Sequence, residues 1–599
     1  MSLTLMKPLN MTVKKSKKSL IAAAACLTAA FASAPALADI EAELPADAVM
    51  VVRFNGLTET SAKLGQLFQD LGITGFDPQF EDPLGALQAQ MGMAEGLDGE
   101  GDAAFVVMPF EFEPTDAAFI LVPITDYAAF AGNFGVEDAE GIVEGTVNDG
   151  LPMWMTKVSD GYAAISGEEG VLETIEFGGF ESGGISGAAF AEQDAILYTN
   201  FDKIGELVLP EMADGKAELM EEMESEMADG EYAKYQPIAE AAINQFFMVA
   251  ETFLSETDAT TLGVSFAETG IKFNVIANFE EGSYIGENMG NIEGADASLL
   301  AGLPEMNYFV FGGSTADPAL SQKLIDDIFG PIKAATEAVE QDEWTKMGLD
   351  YFAAVETVAT TAEGQAFGVV VPQGDLGVDP FIQYMSVTFG DGEAIKSAVT
   401  DMQTMQQDLM AQLDAIAGGG MEMPEVTFEE NAKTIAGVSF DSITQANSQG
   451  GPEAMFFGPD GMVQFIGVAD GKLIQYSGLT DEDAEAFIGA VRAGGDPLVE
   501  SPGVGEVGEQ LPGERLAVVY VRLDELVRTA GDTAAQFGMP IQVAMPPDLA
   551  PLGVTISSDQ DALIVDAFLP SDTLQALVAQ GMRTYMQMQG GGRGAGGGL

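Results

Sequence analysis

The sequence predicts an α+β protein made by tandem duplication of a unit that combines an antiparallel sheet with helices, which gives two pseudo-equivalent halves. Three observations lead to this prediction. Short apolar runs rich in aromatic residues are typical of strands covered on one face, Asp-Gly pairs signal hairpins, and one series of elements occurs twice in the same order. Strands interrupted by helices, without strict alternation of strand and helix, favour the α+β class.

Six segments of the first half have counterparts in the second half. The pairs, in chain order, are "LPADAVMVVRFNG" at Leu44 with "LPEMNYFVFGGS" at Leu303, "AFVVMP" at Ala104 with "AFGVVVP" at Ala366, "AAFILVPITDYAAF" at Ala117 with "IQYMSVTFGDGEAI" at Ile382, "KVSDGYAAISG" at Lys157 with "GVADGKLIQYSG" at Gly467, "DAILYTNFDKIGEL" at Asp194 with "RLAVVYVRLDELV" at Arg515, and "LGVSFAETGIKFNVIANF" at Leu262 with "LGVTISSDQDALIVDAFL" at Leu552. This order predicts one α+β domain over 40–290 and a second over 298–585.

Tight hairpin turns are predicted at three Asp-Gly pairs, at 160–161, 460–461 and 470–471. The last two pairs lie close together in an apolar segment. The stretch 454–478 is therefore expected to form three consecutive antiparallel strands.

Two long helices are also predicted. Asp391 to Ala417 has apolar residues along one face and is followed by three glycines. Lys216 to Thr257 is the second, with interruptions near residue 229 and before Pro237. Its first part is too acidic for a core helix, so residues from about 211 to 256 are expected to form a helical surface insertion. The Gly-rich end, 586–599, is predicted to be a disordered tail.

The N-terminal segment has the three parts of an export signal. Lysines at 14–18 precede an apolar run over 20–31, and Ala36 and Ala38 form a small-x-small cleavage site. Residues 1–38 are therefore expected to be removed, and the mature chain is expected in the periplasm or outside the cell. Lipidation at Cys26 is the alternative. No later segment has the apolar length of a membrane-spanning helix.

Charge and composition exclude several functions. The 599-residue chain has 94 acidic and 24 basic side chains. Five of the basic residues precede the predicted cleavage site, so the mature chain has 94 acidic and 19 basic side chains and a net charge of −75. This balance excludes nucleic-acid binding through phosphates. There is no histidine, and Cys26 is the single cysteine, which excludes Ser-His-Asp and Cys-His catalysis, the usual zinc sites and disulfides. We therefore expect no enzymatic activity.

An export signal followed at once by "LPADAVMVVRF", and duplicated α+β units that end in an "LGVSF"-type hairpin, resemble a family of exported bacterial proteins of uncharacterised function. The resemblance covers nearly the whole mature chain. It implies the fold and the extracytoplasmic location, and it brings no catalytic residues.

Asp98, Glu100 and Asp102 are the candidate metal ligands. They alternate in the Gly-rich stretch "GLDGEGDAAF", and oxygen ligands with this spacing can converge on one calcium ion. The stretch lacks the glycine and the glutamate that an EF-hand loop needs at its sixth and twelfth positions. A polar loop before the strand at 103–110 is the alternative interpretation.

Three classes of function remain open. The first is a non-enzymatic scaffold of the cell envelope that binds another macromolecule, with partner and oligomeric state unknown. The second is a carrier of a small apolar ligand or of a metal ion. The metal would be calcium or, less readily, copper(I), which methionine pairs such as Met402 and Met405 could bind. Methionine also fills helical cores, which is the alternative explanation of these pairs. The third is a hydrolase that uses carboxylates alone, marked by paired acids of raised pKa in a cleft.

Overall fold

The computed structural model describes residues 40–591, apart from 76, 110–116, 148–149, 228–232, 291, 293, 295–298, 373–380, 418–425, 447–455, 459–460, 502 and 539–542. The predicted export signal with Ala36 and Ala38, Cys26, Asp460 and the last part of the predicted tail lie outside the described residues.

The described residues contain nineteen strands. They are β1 Met50–Phe54, β2 Ala103–Val107, β3 Ala118–Pro123, β4 Val143–Thr146, β5 Pro152–Lys157, β6 Tyr162–Ser166, β7 Ala195–Asn200, β8 Thr257–Ala267, β9 Gly270–Phe279, β10 Tyr308–Thr315, β11 Ala362–Val370, β12 Gln383–Gly390, β13 Val426–Ile435, β14 Val438–Gln445, β15 Met462–Ala469, β16 Lys472–Ser477, β17 Ala517–Val521, β18 Leu552–Asp559 and β19 Ala562–Pro570.

The α-helices connect these strands. They are α1 Leu57–Asp70, α2 Pro83–Met91, α3 Tyr127–Gly132, α4 Glu169–Thr174, α5 Gly184–Glu192, α6 Phe201–Met227, α7 Gln236–Glu256, α8 Tyr284–Met289, α9 Pro318–Ala338, α10 Glu343–Thr361, α11 Gly392–Ala417, α12 Asp481–Ala493, α13 Val504–Gly508, α14 Leu523–Gln536 and α15 Ser571–Gly591. Short 3₁₀ helices cover Ile40–Glu43, Pro78–Glu81 and Ala233–Tyr235.

All nineteen strands pair in one antiparallel sheet. Their spatial order is β4-β5-β6-β3-β2-β1-β7-β8-β9-β19-β18-β17-β10-β11-β12-β16-β15-β14-β13. The pairing of β9 with β19, from Gly270 with Pro570 to Asn278 with Ala562, lies near the middle of this order. The predicted α+β class with an antiparallel sheet is thereby confirmed.

The hairpin between β15 and β16 has the predicted Asp-Gly turn. Asp470 has φ 49° and Gly471 has φ 76°, and two positive φ values are the signature of a type I′ turn. The prediction of three strands within 454–478 is wrong, because Phe456 and Phe457 are helical and the described residues of this segment hold only β15 and β16. The third strand of this meander is β14, which pairs with β15.

Two large apolar clusters lie on the same face of the sheet. One surrounds Val51, Phe119 and Phe190, and the other surrounds Phe311 and Tyr476. The opposite face carries smaller clusters near the two ends of the strand order. Between these smaller clusters, cross-strand partners Leu262 and Val275 remain 42% and 40% exposed.

The predicted helix from Asp391 to Ala417 is confirmed as α11. Residues 211–256, which the sequence assigns to an acidic insertion, form most of α6 and all of α7, a helical hairpin that leaves β7 and returns to β8. Helix α15 continues to Gly591 and thus includes the first residues of the predicted disordered tail from 586. Methionine and glutamine at 586–589 are good helix formers and extend α15 before the glycines begin.

Candidate functional site: a helical array at one end of the sheet

Five long helices start or end at the same end of the sheet. The strands β7, β10 and β12 run in one direction, since an even number of antiparallel pairings separates each from the next. The helices that follow them therefore lie together. Helix α6 packs on α7, α7 on α9, α9 on α10, and α10 on α11. We call these five helices the helical array.

The helical array leaves much of its apolar surface in contact with solvent. Eight large apolar side chains of the array are each at least 38% exposed: Leu207, Val208 and Leu219 of α6, Phe246, Val249 and Phe253 of α7, Phe329 of α9 and Tyr351 of α10. Phe246 is the extreme case, with 70% of its surface exposed. Several exposed apolar side chains on neighbouring helices are the kind of surface that is typical of interaction sites.

A groove between α10 and α11 forms the best-defined part of this surface. Its volume is about 640 Å³. The apolar residues that line it are Trp344, Met347, Tyr351 and Phe352 of α10 and Val399, Met402 and Met405 of α11. Gln403 and Gln406 supply side-chain amides to the lining, and Trp344 and Tyr351 add an indole N–H and a hydroxyl. Phe352 also contacts Phe329 of α9, with ring centroids 6.2 Å apart, so the groove is continuous with the next helix.

The start of α10, and with it Trp344, is held in place by Asp342. One carboxylate oxygen of Asp342 accepts hydrogen bonds from the main-chain N–H groups of Trp344 and Thr345, each at 3.0 Å, which completes a capping box with Thr345. The other oxygen accepts the hydroxyl of Tyr235 at 2.6 Å and pairs with Lys234. Asp342 thereby fastens the tip of the hairpin α6–α7 to the tip of the hairpin α9–α10.

This ion pair also determines the titration of Asp342. The hydrogen bond from Lys234, followed by those from Tyr235 and from the main chain of Thr345, holds the pKa of the Asp342 carboxyl well below its usual range. The pair is exposed to solvent, so added salt should weaken it.

Two carboxylates lie beside the groove, in a second opening between α10 and α11. This opening has a volume of about 620 Å³ and is lined mainly by small residues such as Ala353 and Ala394. Asp350 of α10 and Asp401 of α11 both line this opening and are exposed. The α10–α11 pair thus combines an apolar groove with negative charge beside it.

Two of the three predicted calcium ligands, Asp98 and Asp102, have separate hydrogen-bonding roles in the structure. The Asp98 carboxylate accepts the main-chain N–H of Glu100 at 3.0 Å and closes a local turn. Asp102 accepts two hydrogen bonds from Arg53, at 2.6 and 3.2 Å, and one from the N–H of Gly56. Within the described ranges, no group of three or more acidic residues could hold a metal ion.

The acids with raised pKa do not form a pair in a cleft. Burial is the first cause of the raised pKa of Asp258, Asp496 and Asp566. They lie at a strand start, in a loop and in β19, and none lines the groove or the second opening between α10 and α11. The arrangement that would mark a carboxylate hydrolase is thus not found among these three.

Sequence reasoning identified only part of this surface. It named Met402 and Met405 as a pair, and the structure puts both in the groove. It missed α10, although Trp344, Met347 and Tyr351 recur at spacings of three and four residues, which is the signal of an apolar helical stripe.

No protein-family model and no curated protein matches the sequence. Among solved structures, crystal form III of TP0453 is similar over 48% of this chain and 100% of its own, with 8% identity and a TM-score of 0.20. Crystal form I of TP0453 is similar over 48% of this chain and 99% of its own, with 8% identity and a TM-score of 0.18. Likeness at this level carries no argument about the function of the chain.

No helix in the described part of the chain is both long enough and apolar enough to cross a membrane.

Proposed function

We propose that the protein is a non-enzymatic binding protein, and that the groove between α10 and α11 binds an apolar, positively charged helical segment of a partner protein. The observation that carries this proposal is the groove itself. Its aromatic and methionine side chains are incompletely buried, although the two main cores of the protein are well packed.

The lining of the groove suits a helical segment. Methionine side chains are unbranched and adaptable, and surfaces rich in methionine re-pack around varied apolar partners. Trp344 and Phe352 are eight positions apart on α10, which corresponds to about 12 Å of helix. A groove of this length can take the apolar stripe of about two turns of a partner helix.

The charge of the partner follows from the charge beside the groove. Asp350 and Asp401 lie at its side, and the chain carries 94 acidic against 24 basic residues. An anionic partner or membrane would be repelled, whereas lysine or arginine on the flanks of the partner helix would be attracted.

We further propose that this binding takes place outside the cytoplasm, in the periplasm or beyond the cell. The support is the signal-like pattern of residues 1–38, with cleavage after Ala38. Retention through a lipidated Cys26 stays the alternative.

The proposal includes a tandem duplication of the α+β unit. Its support is the strand order. Starting from the β9–β19 pair, the first half continues as β8, β7, β1, β2, β3, β6 and β5, and the second as β18, β17, β10, β11, β12, β16 and β15. Strands from matched sequence segments therefore occupy equivalent positions in the two series. In this correspondence α9–α10 is the counterpart of α1–α2, so the helical array reflects divergence between the copies.

The test uses the fluorescence of Trp344. The chain has two tryptophans, so the variant Trp154→Phe leaves Trp344 as the only reporter. The probe is a synthetic amphipathic helix made of leucine and lysine, and the control peptide has the same composition in scrambled order. The patterned peptide should shift the Trp344 emission to shorter wavelength in a saturable, salt-sensitive titration.

Two substitutions locate the interaction. Met402→Asp removes an apolar contact and adds charge inside the groove, and should weaken binding about tenfold or more. Leu151→Asp makes the same kind of change at an exposed residue just before β5 and should leave binding unchanged. Equal binding of patterned and scrambled peptides, or equal losses in the two variants, would contradict the proposal.

A calcium-dependent carrier stays the competing hypothesis for Asp98, Glu100 and Asp102. A melt with added calcium, compared with sodium chloride of equal ionic strength, separates the two accounts. A rise in melting temperature that is specific to calcium supports a metal site. A rise in melting temperature that follows ionic strength reflects screening of the acidic surface.

A further inference from the structure

We infer that a separate pocket beneath α2, near the opposite end of the sheet from the helical array, binds the end of an unbranched alkyl chain. The strand β1 runs antiparallel to β7, so α1 and α2, which follow β1, lie at the other end. This site does not depend on the groove between α10 and α11.

The pocket is lined entirely by apolar side chains. Phe105, Ile120 and Ile165 of the sheet form its floor, and Leu57, Leu84 and Leu87 of α1 and α2 form its roof. Because no side chain of the lining donates or accepts a hydrogen bond, a polar group that entered would lose its bonds to water without replacement. The buried part of any ligand must therefore be hydrocarbon.

The size of the pocket selects a narrow hydrocarbon. Its volume is about 80 Å³. An apolar cavity of about 150 Å³ is known to hold benzene, so this pocket is too small for a ring. The end of a single extended alkyl chain fits the space, while the rest of the molecule stays outside.

Local structure defines the helix that covers the pocket. Helix α2 begins at the N-cap Asp82, which accepts the N–H of Gly85 at 3.0 Å, and it ends at Gly92 with φ 73°. The N–H of Leu84 is bonded to the Ser61 hydroxyl at 2.9 Å, which fixes the roof to α1. The two ends of α2 are thus defined by its own sequence, and the Leu84–Ser61 bond holds its first turn against α1.

Two methionines form the flexible part of the wall. Met91 and Met93 line the pocket beside the end of α2. Their side chains have three rotatable bonds and can move without strain. They give the alkyl chain a route in and let its polar end stay in water.

The test is calorimetric titration of the full chain with unbranched alcohols from 1-butanol to 1-octanol. Each added methylene that enters the pocket should raise the affinity about fourfold, and the gain should stop once the chain exceeds the pocket. Cyclohexanol is the shape control and should bind much more weakly than 1-hexanol.

Two filling variants and one control complete the test. Ala103→Leu fills the pocket from β2, and Leu87→Trp fills it from the roof, so each should abolish binding of 1-hexanol. Ala62→Leu enlarges a side chain of α1 that lies outside this pocket and should change nothing. Circular dichroism checks that each variant is folded. Absence of 1-hexanol binding by the unaltered chain, equal binding of cyclohexanol, or binding retained by both folded filling variants would overturn the inference and leave a packing void.

Discussion

The side-chain amide of Gln245 in α7 donates hydrogen bonds to two main-chain carbonyls of α9, those of Asp327 at 2.9 Å and Ile328 at 2.8 Å. Four residues after Asp327 is Pro331, which has no N–H to complete the helical hydrogen bond. Gln245 is buried and supplies the missing donor from a neighbouring helix. This contact joins the two helical hairpins of the array.

We expect Gln245→Met to destabilise the protein by about 1–3 kcal/mol, because it removes two hydrogen bonds and leaves the Asp327 carbonyl without the donor that Gln245 supplies. Chemical denaturation measures the loss. Asn244→Ala, at an exposed neighbour on α7, is the matched control and should have little effect.

Pro331→Ala makes the test specific, because alanine restores the N–H that the Asp327 carbonyl lacks. In the Pro331→Ala background, Gln245→Met should lower the free energy of unfolding by less than it does in the wild type. The double-mutant cycle should therefore give a coupling energy clearly different from zero. Additive effects would show that Gln245 does not act through this carbonyl.

Asp342 provides a prediction about pH. The pKa of its carboxyl is lowered in the folded protein, so the stabilisation it provides is present above the unfolded pKa of about 3.9 and is lost as the pH falls through the lower folded pKa. Asp342→Asn keeps a capping side chain for α10 but loses the ion pair with Lys234. Thermal melts between pH 7 and pH 2 test this. The wild type should have the higher melting temperature at pH 7, and the difference from the variant should shrink as the pH falls.

The control for this prediction is Asp317→Asn. Asp317 caps α9 through the N–H groups of Ala319 and Leu320, and the described chain shows no ion pair for it. Its substitution removes a capping carboxylate but no lysine pair, so the part of the Asp342→Asn effect that exceeds it belongs to Lys234. A profile altered equally by both variants would contradict the role given to Lys234.

The Pro331 contact shows why the sequence predicted some helices and not others. Helix α11 has regular apolar spacing and a run of glycines after it, and both signals are local. Helix α9 contains a proline that a local interpretation treats as a helix end. Its continuity depends on Gln245, which is 86 positions before Pro331, and such a partner cannot be found from spacing.

Long-range contacts also explain the outcome at Asp102. The alternation of Asp98, Glu100 and Asp102 indicated a possible cation loop, and the local turn at Asp98 follows from its sequence. Asp102, however, is bonded to Arg53 of β1. Strand pairing of β1 with β2 brings these two residues together, and the sequence alone did not reveal that pairing of charges.

Asp566 should be a site where removal of charge stabilises the protein. It lies in β19 opposite Asn274 of β9, whose amide donates to it at 2.7 Å. Burial raises the pKa of Asp566, although the Asn274 hydrogen bond and the charge of Lys272 lower it. Since the folded pKa is raised, stability is lost as the pH rises from the unfolded value through the folded one.

Asp566→Asn should therefore be more stable than wild type at pH 7, by about 1 kcal/mol, and equal to it below about pH 4. The new amide can also donate to Asn274 Oδ1, a buried oxygen without a hydrogen-bond partner. Urea denaturation at the two pH values checks this. Asp559→Asn, at an exposed end of β18, is the control. Lower stability of Asp566→Asn at pH 7 would contradict the account.

The ion pair of Arg53 and Asp102 should be essential for stability. Both side chains are largely buried, and the Arg53 guanidinium also donates to the Phe190 carbonyl and lies 5.0 Å from the centre of its ring. Arg53→Met leaves the Asp102 carboxylate without a cation to balance its charge, and we expect a loss of about 3–5 kcal/mol in the free energy of unfolding.

A second substitution shows where that loss comes from. Arg53→Met combined with Asp102→Leu should recover part of the stability, since no unpaired charge remains. Lys157→Met removes the cation of the exposed pair with Asp160 and should be nearly neutral. If Arg53→Met were as mild as Lys157→Met in denaturation experiments, the pair would not have the role we assign to it.

The central claim is that the groove between α10 and α11 binds a partner helix, and amide hydrogen exchange of the full chain tests it most directly. Exchange is measured with and without the leucine–lysine peptide, with the scrambled peptide as the reference. The account predicts slower exchange in Glu343–Thr361 and in the first four turns of α11, and no change in β4, β5 or β13. Unchanged exchange in both helices, or protection located elsewhere, would contradict the assignment of this groove as the binding site.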